Sequence, residues 1–73
     1  MFGRQPGHIV GITAVDIHGA LFYDITFALE SAPQLARTSR IGTESVYENP
    51  REGDAVVLHV VMGQLTKVEK RDT

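Results

Sequence analysis

The chain has 73 residues, no cysteine and a formal charge of −2, with seven lysines and arginines set against nine acids. A chain this short hides only about 60 % of its unfolded surface, so it has room for one domain and one modest core. The absence of cysteine excludes disulfides and thiolate zinc sites, and His8, His18 and His59 are too far apart to supply an HxH or HxxxH pair, so no metal or cofactor is expected. The charge balance gives no global positive field for nucleic acid or anionic lipid.

The first seven residues contain no apolar run of signal-peptide length, and nothing approaches the roughly 18 apolar residues of a membrane span. The expectation is a cytoplasmic protein with no membrane partner. Residues 1–6 and 71–73 are expected to fray at the two ends of a single domain covering 1–73.

Residues 8–17 are β-branched and apolar on both parities, with Gly11 placed to kink or bulge the chain, and they predict a strand that bends around a corner. His18 and Gly19 tolerate positive φ and predict a two-residue type I′ hairpin turn. In residues 21–30, Leu21, Tyr23, Ile25, Phe27 and Leu29 alternate with Phe22, Asp24, Thr26, Ala28 and Glu30, the period of a half-buried strand. Residues 31–36 contain Pro33 and read as a loop or a single helical turn. Residues 37–43 form a weaker edge strand, whose Arg37 and Arg40 discourage unwanted pairing.

Turn formers gather in residues 49–54, and the following 55–62 stretch is apolar on both faces and reads as the most buried strand. Gly63 and Gln64 suit a type II′ turn into a last strand over 65–70. Five strands with short connections and no helix of ordinary length predict an all-β domain, a small five-stranded antiparallel barrel. The Gly53-Asp54 step into a β-branched strand, followed by a short hairpin, resembles the late strands of SH3-like and OB-like barrels over residues 50–69. That resemblance concerns architecture and carries no function.

His59 is the most suggestive side chain, sharing a strand face with Ala55, Val57 and Val61. An imidazole there could serve as an acid or base, but sequence spacing fixes no nucleophile or carboxylate beside it, and a structural role at a rim or protomer contact outweighs catalysis. Asp16 and Asp24 flank the first hairpin without being forced opposite each other. Phe22 lies on the opposite parity from Tyr23 and Phe27 and is the aromatic residue best placed for an exposed contact. With Arg37, Arg40 and Arg51 it would compose a nucleic-acid surface, although Glu44, Glu48 and Glu52 intervene. No phosphate-binding glycine loop or nucleophile elbow is present.

The leading expectation is a non-catalytic binding module acting as a homo-oligomer. It would associate through the apolar second faces of strands one and four, where Ile9, Val15, Ile17, Val57 and Val61 exceed what one small interior can bury. A nucleic-acid-binding regulatory barrel is the alternative, and a small-molecule binder or enzyme with a site shared between protomers is the third.

Overall fold

The computed structural model describes residues 3–71. Five strands, β1 (Gly3–Ile17), β2 (Ala20–Leu29), β3 (Ala32–Gly42), β4 (Ala55–Val61) and β5 (Gln64–Lys70), form one antiparallel sheet in the order β3-β2-β1-β4-β5. A single 3₁₀ turn at Thr43–Ser45 follows β3. Among the described residues no helix is long and apolar enough to cross a membrane.

Three hairpins turn in two residues: Glu30 and Ser31 join Leu29 to Ala32, and the other two turns have positive φ at both central residues. His18 (φ 52°) and Gly19 (φ 85°) join Ile17 to Ala20, and the Gly19 N–H donates to Asp16 Oδ1 at 2.9 Å. Met62 (φ 51°) and Gly63 (φ 79°) join Val61 to Gln64. Positive φ at both central residues is what a type I′ turn requires, because only that backbone twist matches the flanking strands. The turn at Met62 was expected one residue later, at Gly63 and Gln64. It sits at Met62 because Gln64 is needed to pair with Val61.

Residues 31–36 were expected to be a loop or helical turn, but β3 begins at Ala32, opposite Leu29. Between this pair and Phe27–Arg37, β3 carries several more residues than β2, and the irregularity absorbs Pro33, whose missing N–H would break a regular ladder. Residues 3–6 were expected to fray. Instead Gly3, Arg4, Gln5 and Pro6 pair with Val60, His59, Leu58 and Val57, so β4 holds the start of β1 in the sheet. Beyond β5, the Arg71 N–H donates to the Ala55 carbonyl, while residues 72 and 73 lie outside the described chain.

The core consists of Ile9, Ile25, Phe27, Ile41, Val56, Leu58, Val60, Leu65 and Val68, with Tyr23, Val46 and Tyr47 packed against it. Ile9, counted by sequence among the surplus residues of a second face, is fully buried in this core. A bulge between Ile9 and Gly11 leaves Val10 as the extra residue. It switches the parity of β1, so that Ile9 and then Ile12 both share the face of Phe27 and Ile25. Leu21 was expected to be buried with Tyr23 and Ile25, yet it is 56 % exposed, because the β1–β2 hairpin runs past the end of the core.

The sheet bends back on itself. After the 3₁₀ turn, Val46 makes a parallel bridge to Val68 of β5, and the Tyr47 N–H donates to the Val68 carbonyl at 3.3 Å. At the other end of β5, Arg71 forms an ion pair with Glu30 in the β2–β3 turn.

Gly7 occupies the tightest point. It is buried, opposite Leu29 on β2 and Val56 on β4, and a methyl group there would overlap the Ala28 carbonyl oxygen and come within 2.8 Å of Leu58 Cδ1. Two of these contacts are backbone atoms that cannot step aside. Gly7→Ala is expected to cost about 2–3 kcal/mol, the usual scale for overpacking a filled core. For a domain of this size that lowers Tm by roughly 10 °C or more, measurable by calorimetry.

Candidate functional site

Alternation along β4 sends Val56, Leu58 and Val60 into the core and leaves Val57, His59 and Val61 on the outer face. The ladders on either side then decide their neighbours. His59 lies opposite Arg4 of β1 and Lys67 of β5, while Val57 lies between Pro6 and Glu69. Residues directly opposite in a ladder share a face, so Arg4, His59 and Lys67 form a cross-strand row.

A bulge in β5 between the partners of His59 and Val60 makes Thr66 the extra residue and sets Glu69 diagonally from His59. The His59 Nε2–H donates to Glu69 Oε1 at 2.7 Å, and Lys67 Nζ lies 3.9 Å from Glu69 Oε2. This holds the Glu69 carboxyl below the usual carboxylate range, chiefly through the His59 hydrogen bond and also through the nearby charges of Lys67, His59 and Arg4. The imidazole is three-quarters covered.

Sequence spacing offered His59 no carboxylate, because Glu69 reaches it only through the hairpin and the bulge. Arg4 was missed because it lies in a stretch expected to fray. The signal for both was present in register form, as positions 4, 59 and 67 coincide once β1 pairs with β4.

A carboxylate that orients an imidazole is half of a nucleophile-activating arrangement, and the other half is a hydroxyl or thiol on the ring. The hydroxyl of Thr66, the bulged residue beside Lys67, donates to the His59 backbone carbonyl at 3.1 Å. Among the described residues no cluster of three or more histidines and carboxylates could hold a metal ion.

The residues considered for nucleic acid are not brought together. Phe22 is half-buried on the outer face, between Val15 of β1 and Gly42 of β3. Arg40 is committed to Asp24 on the neighbouring strand through a two-pronged pair, Nε to Oδ1 at 2.7 Å and Nη2 to Oδ2 at 3.0 Å. The Arg40 hydrogen bond lowers the Asp24 pKa, and Asp24 raises that of Arg40. Arg37 lies on the other parity of β3, at the rim of a small apolar notch made with Leu29, Ala32 and Leu35. Arg51 sits in the β3–β4 loop.

That loop is locked from within. Tyr47 Oη donates to Asp54 Oδ2 at 2.5 Å, and the Arg51 N–H donates to the same oxygen at 3.0 Å. Burial, reinforced by the Asp54 carboxylate, pushes the Tyr47 phenol well above its ordinary range. The Tyr47 hydrogen bond, followed by the Arg51 N–H, holds Asp54 below its own. The locked loop also anchors β1, with the Ile9 N–H donating to the Asp54 carbonyl and the Gly53 N–H to the Ile9 carbonyl.

A carboxyl whose pKa is depressed by folding contributes stability above its unfolded value of about 3.9, and that contribution is lost as pH falls through the lower folded value. Asp54→Asn should therefore unfold more readily than the native chain at pH 7. It should also lose less further stability between about pH 4 and pH 2, as read from urea midpoints at each pH.

Compared with known proteins, the chain matches no family model, no curated protein and no solved structure, so its function has to be read from this geometry.

Proposed function

We propose that the chain is a non-catalytic small β-barrel binding module that works as a homo-oligomer in the cytoplasm, its barrel threaded in the OB-like rather than the SH3-like manner. Support for the threading comes from the β1–β2–β3 meander, the pairing of β1 with β4 as well as β2, and the parallel approach of the segment after β3 to β5. In an OB-like barrel that last approach closes the cylinder.

The observation that carries self-association is exposed apolar surface at two places, the end of β1 and the end of β4, which antiparallel pairing sets at opposite ends of β1. Ile17 and Leu21 flank the β1–β2 turn, while Val61, 45 % exposed, and Met62, 82 % exposed, lie at the β4–β5 turn. A turn needs glycine, asparagine or aspartate for its backbone, and nothing in turn geometry calls for methionine at positive φ. Large apolar side chains placed where a single copy leaves them in water are characteristic of contact surfaces. They also suit a chain with no disulfide or metal to stabilise its small core.

Val57 is half-buried between Pro6 and Glu69 and adds apolar area on the same face as Val61. His59 fits a contact role better than a catalytic one, since its ring is occupied by Glu69 and no hydroxyl is bonded to it.

Size-exclusion chromatography with light scattering at micromolar concentration should give an oligomer, and the doubly substituted Leu21→Glu/Met62→Glu chain should elute as a monomer with an unchanged β-sheet circular dichroism spectrum. A clean native monomer across that concentration range overturns the reading.

A further inference from the structure

From the row Arg4–His59–Lys67 we infer a phosphate-binding site on the outer face of β1, β4 and β5, lying between Val57 and Val61 on β4. The three side chains stand directly opposite one another across two ladders, which brings neighbouring Cβ atoms to about 5 Å. Arg4 and Lys67 flank His59 two strand spacings apart, about 10 Å between their backbones, within reach of one polyanion through their long side chains.

One carboxylate, Glu69, serves the whole row. One of its oxygens is taken by the His59 ring at 2.7 Å, and the other lies at the outer limit of an ion pair with Lys67, 3.9 Å away. The Arg4 side chain is exposed and forms no hydrogen bond or ion pair among the described residues. Two permanent cations, Arg4 and Lys67, therefore have this one carboxylate beside them. The groups facing His59 are Arg4 from β1 and Lys67 and Glu69 from β5.

An incoming phosphate group presents several oxygens at once. It can accept from the planar Arg4 fork and from the Lys67 ammonium. The half-buried Val57, next along β4, and Pro6 beside it give the row an apolar floor on one side. A phosphodiester chain and a free polyphosphate share this chemistry, and the site would take either.

Two probes in 20 mM salt at pH 6.5 distinguish them: inorganic tripolyphosphate and a 15-nucleotide thymidine oligomer, each followed by amide shifts in ¹H–¹⁵N spectra of the full chain. The expected result is perturbation centred on residues 4, 59 and 67. The Arg4→Gln/Lys67→Gln chain should bind at least tenfold more weakly while keeping a native spectrum elsewhere. Glu69→Gln, which removes the competing carboxylate, should bind severalfold more tightly.

Tighter binding of the oligomer, with a log–log salt slope that falls by roughly 1 to 2 in the double variant, identifies a phosphodiester backbone. Tighter binding of tripolyphosphate identifies a free phosphate compound. Absence of shifts at the row with both probes, or equal binding by the native and doubly substituted chains, overturns the site.

Discussion

β1 must satisfy hydrogen bonds along both of its edges, to β2 over nearly its whole length and to β4 over its first half. A strand in that position cannot stay straight if the sheet is to wrap a core. Two local features make the wrap possible. At Gly7 the missing side chain lets β2 and the Leu58 side chain come close on either side of the same residue. At Val10 the bulge bends the strand and switches its parity. Without the first, the neighbouring strands could not approach. Without the second, Ile9 and Ile12 could not share one core.

Much of this was legible in the sequence. The strict alternation of 21–29 identified β2, positive-φ residues identified the His18-Gly19 turn, and the two-parity apolar run of 8–17 signalled a bent strand. Where reading failed, longer-range pairing had overridden local preference. Pro33 argues against a regular strand, yet β3 accommodates it at an irregularity on an edge where only β2 makes demands. Residues 3–6 contain glycine and proline and carry no strand pattern, but β4 recruits them because its own outer edge needs a partner. The Met62-Gly63 turn was displaced by one residue because the pairing of Val61 with Gln64 decided which residues were left over.

The candidate site was less legible than the fold, for a related reason. His59 was visible as a lone polar residue in an apolar run. Its carboxylate lay ten positions away across a bulged hairpin, and its basic neighbour Arg4 lay 55 positions upstream. One residue of slip in either ladder would send those side chains to the opposite face. The composition of each segment does not contain the row, which exists only in the register between them. Phe22 shows the converse: its parity alone set it on the outer face, and the ladders place it there between Val15 and Gly42.

The two halves of the sheet are joined unequally. β2 is tied to β1 and β3 to β2 by long ladders, whereas the β4–β5 hairpin meets the rest through the first residues of β1, the Val46–Val68 bridge with its Tyr47 hydrogen bond, the loop bonds at Ile9 and the Arg71–Glu30 ion pair. The hairpin also supplies Val56, Leu58, Val60, Leu65 and Val68 to the core, more than β1, β2 and β3 contribute together. Its departure would leave Ile9, Ile25, Phe27 and Ile41 in water, so amide hydrogens along β4 and β5 would exchange through an opening close in cost to complete unfolding. The row that crosses from Arg4 to Lys67 spans that seam, and a polyanion bound there would raise the cost of that opening.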